Sequence, residues 1–317
     1  MTSHIKILGI KIRKTNPKHY LRRFISAIIE FLHIHIYSKF PLKNKRKKFF
    51  YYTSIYNFGD LLNFEIIQKL FNINPIKTNI KKADYIFIGS IADALITKKD
   101  KIINPKPLKV IGAGFIQEQA APVERYSRNL EILALRGKLT KERFEKNLNT
   151  NLDNVILADP GILAPFLIDR SNVKKKYKLG IVPHFQDKDS GLLKKLKKNI
   201  KDSKVINIQQ NAKNFIKEMA ECEVIVASAM HALIVAAALD IPNQWISFSN
   251  SENNNTYKFK DFYSAFFDEP ISAINLTKTE ITSETVDKIK NSYTFPMEKL
   301  KEAQNRLLDV LNKEFQS

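Results

Sequence analysis

The chain has 317 residues, 44% of them hydrophobic, with nine glycines and one cysteine, a composition that excludes collagen-like, disulfide-stapled and wholly disordered classes. At roughly 100–200 residues per domain this length allows one large or two medium domains, and two lobes would leave a cleft between them. Cys222 alone can form no internal disulfide and cannot supply a Cys-rich metal site, which fits a reducing cytoplasm.

The net charge is +20, with 52 Lys plus Arg against 32 Asp plus Glu. Such a charge raises the question of a nucleic-acid partner. Its distribution argues against one, because residues 1–50 carry 13 basic residues and one acid, Glu30, so most of the excess belongs to one end. Aromatic residues are not interleaved with Lys in any RNA-binding pattern either, so no nucleic-acid partner is expected.

Residues 1–47 read as a basic amphipathic segment. Within 20–40, Leu21, Phe24, Ile25, Ile28, Ile29, Phe31, Leu32 and Ile36 recur at helical spacing. Arg22 and Arg23 stand at its start, and Lys43, Lys45, Arg46, Lys47 and Lys48 follow it. Arg22, Arg23, Glu30, His33, His35 and Lys39 make the stretch too polar to span a bilayer, and no small-residue cleavage site follows. Two readings stay open: an interfacial helix clamped on anionic lipid, or a helix packed on the body with its Lys face in solvent.

From residue 48 the pattern changes to short apolar runs ending in Gly or small polar residues. FFYYTSIYNFGD, ADYIFIGS, LKVIGAGF, LEILALRG and VILADPG each predict a buried strand running into a loop, with a helix over 61–71 among the intervening segments. After the basic stretch 171–178 a second series begins, KLGIVPHF, KVINIQ, CEVIVASA and NQWISF. Alternation of this kind indicates parallel βαβ units. The expected fold is therefore α/β, with two Rossmann-like lobes facing a cleft at 48–170 and 171–317. The second lobe is expected to end in the amphipathic helix MEKLKEAQNRLLDVLNKEF.

Ligands in such sheets sit beyond the carboxyl ends of the strands. That rule selects Asn57, Asp60, Ser90, Gly112, Gly114, Arg136, Asp159, His184, Gln209 and the run from Ser228 to His231. In VIVASAMHALIVAAALDIPNQWI, Ser228 occupies an expected N-cap and His231 the first helical turn, where free N–H groups and the helix dipole attract anions. His231 is then either a proton carrier beside a bound phosphate or a buried histidine satisfied by a backbone carbonyl. His184 follows a strand at the same side. Arg136 offers a guanidinium fork for carboxylate or phosphate, or else pairs with Glu142 or Glu145 at the surface. Asn57, Gly59 and Asp60 form a loop and helix cap, with Asp60 itself a candidate cap. Gly112 and Gly114 allow close approach but lack the third glycine of a dinucleotide fingerprint. No metal-binding or nucleotide-loop spacing occurs, so neither metal nor cofactor is expected.

NFGDLLN, IGSIAD, VIGAGF, ALRGKLT, DPGIL, GIVPHF and ASAMHALIVAAALDIPN, in this order over roughly residues 48–265, make the chain similar to the bacterial polysaccharide pyruvyltransferase family. The resemblance implies two GT-B-like lobes, phosphoenolpyruvate as donor, and a sugar of a capsular, exopolysaccharide or cell-wall glycan as acceptor, converted to a pyruvate ketal. His231 matches the family histidine and is expected to transfer the proton. Arg136 matches the arginine of its Val-Arg-Gly segment and is expected, with the helix end at Ser228, to hold the anion. Asn57, Gly112 and Gly114 are expected to line the substrate. Asp60 and His184 are candidates for an acceptor-side base or positioning groups. Ala229 stands where many members carry Arg, which removes one expected anion contact. A lipid-linked acceptor would place the enzyme in the cytoplasm, at the inner face of the membrane. The alternative on the same frame is a glycosyltransferase that uses a nucleotide sugar.

Overall fold

The computed structural model describes residues 4–7, 10–13, 45–52, 57–97, 104–120, 122–249 and 256–316. The amphipathic helix expected over 20–40 lies outside them. An antiparallel hairpin, β1 (His4–Ile7) and β2 (Ile10–Arg13), stands at the N-terminal end.

The first lobe runs through β3 (Arg46–Phe50), α1 (Phe58–Phe71), β4 (Asn74–Lys77), β5 (Tyr85–Ile86), β6 (Ile96–Thr97), β7 (Asn104–Ile111), β8 (Arg125–Tyr126), β9 (Arg128–Leu135), α2 (Lys138–Leu148) and β10 (Ile156–Leu157). Six of these strands form one sheet in the order β10-β9-β7-β5-β3-β4, every neighbouring pair parallel. The strands β6 and β8 make a separate antiparallel pair. Arg46, Lys47 and Lys48, expected to follow the helix as a basic cluster, belong to β3 in the interior of this sheet.

The second lobe contains β11 (Tyr177–Val182), α3 (Gly191–Asn199), β12 (Ser203–Val205), α4 (Ala212–Ala220), β13 (Cys222–Ala227), α5 (Met230–Ala238), β14 (Asn243–Ser247), α6 (Tyr257–Ser264), β15 (Ile274–Asn275), α7 (Ser283–Ser292) and α8 (Met297–Gln316). Its sheet, β12-β11-β13-β14-β15, is parallel throughout. The chain thus folds as an α/β protein with two Rossmann-like lobes.

The lobes share one apolar core. Helices α1 and α5 are buried on nearly every side, as expected of helices apolar all round. Phe58 at the start of α1 stacks on Phe215 of α4 with centroids 4.0 Å apart, and its N–H donates to Ile208 O of the other lobe at 2.9 Å. Burial of this interlobe surface stabilises the pair at about 25 cal/mol per Å² of apolar area. The structure also corrects the assignment of the C-terminal helix. Although expected with 171–317, α8 lies on the first lobe: Leu300, Leu307, Leu311 and Phe315 are buried, and Phe315 meets Phe49, Phe71 and Tyr85. Glu314 accepts from Lys109 Nζ at 2.6 Å and from Tyr85 OH at 3.1 Å. Helix α6 crosses back in the same way, and this crossing shapes the site.

Candidate active site

Both sheets point their carboxyl ends at the cleft, so the loops after β3, β5, β11 and β13 meet there. Tyr52, Asn57, Asp60, Ser90, His184, Ala229, Met230, His231 and Lys258 line a cavity of about 310 Å³. A second cavity of about 290 Å³ shares His184 and Lys258 and adds Asp187, Ser228, Trp245 and Ser247. A third, of about 380 Å³, lies among Trp245, Tyr263, Phe267 and Phe295 and holds none of the residues selected at the strand ends.

His231 stands in the first turn of α5, over the backbone of Gly59. A Cβ on Gly59 would come 2.1 Å from the imidazole Nδ1, so α1 needs glycine there to admit the ring. Nε2 is buried without a hydrogen-bond partner and lies 3.9 Å from Asp159 Oδ2, which also has none. The carbonyl-satisfied reading of His231 is therefore set aside. Asp159 Oδ1 is occupied, accepting from Gly161 N–H at 2.8 Å. Burial, with Lys258 and Arg136 adding to it, lowers the His231 pKa to about 3. Burial raises that of Asp159 to about 7. A neutral imidazole thus faces a carboxyl group that titrates near neutrality, a pairing suited to passing a proton.

Arg136 is placed differently from its expectation. Its side chain is 0% exposed and does not line either cleft cavity, and it pairs with neither Glu142 nor Glu145. Nε donates to Asp261 Oδ2 at 2.8 Å, Nη1 to Ser90 Oγ at 2.6 Å, and Nη2 to Phe115 O. Direct anion contact by Arg136 is corrected to structural support of Ser90 and α6. The two glycines follow the same correction. A Cβ on Gly114 would sit 2.5 Å from Arg136 Cζ, and one on Gly112, whose φ is +79°, would sit 2.2 Å from Pro160 Cδ. Both are required by packing around the strand ends, and neither lines the cavity.

Ser228 does line the second cavity, although it is not the cap of α5; that position is Ala229, which makes no side-chain cap. The Ser228 hydroxyl instead donates to Asp187 Oδ2 at 2.6 Å and accepts from His184 N–H at 2.8 Å. Burial raises the Asp187 pKa, against the pull of Ser228 and Lys258. Burial and Lys258 lower His184 to about 4, so this ring too is neutral near pH 7. At the start of α1 the cap is Asn57, whose Oδ1 accepts from Asp60 N–H at 3.1 Å while its Nδ2 donates to Asp60 Oδ2. Gln209, picked by the strand-end rule, lines a separate cavity with Lys188 and is not part of this site.

Lys258 is the residue that sequence reasoning missed. It faces both cavities, is partly buried, and has no hydrogen bond or ion pair among the described residues. Burial and Arg136 lower its pKa to about 8, while Asp60 and Asp187 act in the opposite direction. Its only local signal is position, on a helix that follows a strand of the second sheet. Among the described residues no group of three or more His, Cys, Asp or Glu could hold a metal ion, and no helix is long and apolar enough to cross a membrane.

Comparison with known proteins places these observations. The chain is 29% identical to uncharacterized protein L143 of Acanthamoeba polyphaga mimivirus over 237 residues, covering 71% of this chain and 77% of that protein. It is 25% identical to the succinoglycan biosynthesis protein ExoV of Rhizobium meliloti (strain 1021) over 221 residues, 68% of this chain and 63% of that protein. Among solved structures, the wall teichoic acid polymerase TagF aligns with 95% of this chain and 92% of its own at 12% identity, with a TM-score of 0.40. The family model for polysaccharide pyruvyl transferases matches residues 11–250, a range that includes both His231 and Asp159. The chain belongs to the polysaccharide pyruvyl transferase family and is a pyruvyltransferase enzyme that acts in polysaccharide modification.

Proposed function

We propose that the enzyme transfers the pyruvyl group of phosphoenolpyruvate to two hydroxyls of one sugar in a capsular, exopolysaccharide or cell-wall glycan, forming a ketal. The observation that carries this reading is the buried His231–Asp159 pair beside the cavity at the N-terminus of α5. Ketal formation begins with a proton added to the methylene carbon of the enol phosphate. His231 gives its Nδ1 proton to that carbon as Nε2 takes one from the Asp159 carboxyl, so no imidazolium has to form in the buried site.

A sugar hydroxyl oxygen then bonds to the adjacent carbon and loses its proton to a base. Phosphate departs with the electron pair of its C–O bond, and the second hydroxyl adds and loses its proton. One of the two hydroxyl protons replaces that given to the methyl group, and the other leaves on phosphate. The second cavity suits the acceptor, since Asp187, His184 and the Ser228 hydroxyl present hydrogen-bonding groups on its wall. The free amides at the start of α5 favour the donor's negative charge in the first.

The test is incubation of the full chain with phosphoenolpyruvate and the surface glycan of its source, following free phosphate and the mass of the glycan. Release of phosphate with gain of a pyruvate ketal supports the reading. Release of a nucleoside diphosphate from a nucleotide sugar, with phosphoenolpyruvate unused, would replace it by a glycosyltransferase on the same two lobes.

A further inference from the structure

The third cavity, of about 380 Å³, falls within the range of small-molecule sites and takes no part in the chemistry above. It lies where β14, the end of α6 and the segment joining α7 to α8 come together. Its walls are aromatic: Tyr263 meets Phe267 with centroids 6.1 Å apart, Phe267 meets Phe295 at 5.3 Å, and Tyr293 meets Phe295 at 6.3 Å. The indole of Trp245 completes the set and is shared, since it also lines the second cavity. Phe259, from that second cavity, stacks on the indole at 4.3 Å with the planes 8° apart. Helix α6 thus carries Phe259 to one cavity and Tyr263, about one turn later, to the other. Between them Asp261 accepts from Arg136 Nε at 2.8 Å and from Thr140 Oγ1 at 2.7 Å, which fixes the helix, so the rings are in place before a ligand enters.

The same walls hold polar groups without partners. Trp245 and Tyr263 are only 6% and 5% exposed, yet neither the indole N–H nor the Tyr263 hydroxyl makes a hydrogen bond among the described residues. Donors buried this far ordinarily find an acceptor. Tyr293 adds another, because its oxygen accepts from Asn243 Nδ2 at 2.6 Å and its own proton is left to donate elsewhere. Burial raises both phenols above their ordinary range, so both keep their protons near neutral pH. Among the described residues that line the cavity, Lys288 alone is charged, and it is exposed. The interior therefore suits a neutral ligand with flat apolar faces and oxygens that accept hydrogen bonds.

We propose that this cavity is a second sugar subsite, which holds the pyranose next to the one bound in the second cavity, a role that rests on the second cavity being the acceptor site. A pyranose lays its C–H faces against aromatic rings, while its ring and hydroxyl oxygens accept from the indole and the phenols. A lipid chain would leave those donors unpaired. The enzyme then recognises two consecutive residues of its glycan, and Trp245 contacts both.

Trp245 is the one tryptophan of the chain, so its fluorescence reports binding in either cavity and needs no donor. The experiment titrates the full chain with the component monosaccharides of the surface glycan of its source and with the disaccharides cut from it. Wild type should bind the matching disaccharide roughly 10–100-fold more tightly than the best monosaccharide, from stacking and hydrogen bonds together. Tyr263→Phe keeps the ring and removes the hydroxyl; it should weaken the disaccharide roughly 2–10-fold and leave the monosaccharide unchanged. Thr294→Tyr, at an exposed position on the cavity wall, should fill the space and reduce the disaccharide to the affinity of the monosaccharide. If Thr294→Tyr does not fold, Tyr263→Phe decides alone. Equal affinity of wild type for one sugar and two, or wild-type disaccharide binding by both variants, overturns the subsite and leaves the acceptor reading of the second cavity intact. Binding of no fragment by wild type overturns both. Tight binding of uridine monophosphate that Thr294→Tyr abolishes would place a nucleotide there in place of the sugar.

Discussion

His231 Nε2 and Asp159 Oδ2 stand 3.9 Å apart, and neither atom has a hydrogen-bond partner. Each is buried in a part of the interior where an unsatisfied polar atom costs about 1–3 kcal/mol, so the pair is maintained against stability. Small movement would bring them into direct contact, with the proton on either side.

Replacing Asp159 by Asn should remove the proton source while keeping the shape. Turnover is expected to fall about 10²–10⁴-fold, and the wild-type loss of turnover above about pH 7 should vanish from the residual activity. Steady-state rates across pH, at saturating donor, provide the check; an Asn variant with wild-type turnover would remove Asp159 from the relay.

The same pair should be visible in stability. Asp159 is raised from 3.8 to about 7, so its contribution is full below about pH 4 and lost as pH rises through about 7. His231 is lowered from 6.5 to about 3, so its contribution is full above about pH 6.5 and lost as pH falls towards 3. Between these limits the two oppose each other. Thermal melts of His231→Gln should show a flatter acid limb than wild type, and those of Asp159→Asn a steeper one. His231→Gln should also lower turnover about 10²–10⁴-fold with the fold retained.

Arg136→Ala should act mainly on stability, because it leaves the buried Asp261 carboxylate without its cation. About 3–5 kcal/mol is expected for breaking such a pair from one side. Denaturant unfolding of the variant measures this directly. A variant of wild-type stability with a raised KM for donor would restore the direct-contact role that the sequence suggested.

Gly59→Ala tests the placement of the imidazole. The added methyl would have to displace a ring 2.1 Å away, so activity should be lost although alanine favours the helix. Circular dichroism should remain that of wild type, and a crystal structure of the variant should show His231 turned from its place.

The interfacial reading of the N-terminal segment predicts that Lys43, Lys45, Arg46, Lys47 and Lys48, of which Arg46 and Lys48 are exposed on β3 and Lys47 is half-buried, draw the full chain to anionic vesicles, at about 1 kcal/mol for each residue near the surface. Co-sedimentation should weaken on changing all five to Gln and on raising the salt. Equal binding of both proteins would exclude the basic cluster from membrane attachment.

The parallel α/β architecture, the strand ends and the positions of His184, Asp159 and His231 were legible in the sequence. Short β-branched apolar runs such as VIVA and GIV, ended by small or turn residues, indicate buried strands, and the residues ending them then fall at the carboxyl edge. Tertiary structure decided which of those edge residues meet a ligand. Arg136 looked like an anion contact by its type and place, yet its carboxylate partner lies 125 residues further along the chain. Lys258 looked like any other lysine in a lysine-rich sequence, because what distinguishes it is an absence of partners in space. Local periodicity reports which face of an element is buried, whereas pairing, desolvation and the path of α6 and α8 back to the first lobe arise only when distant segments pack together.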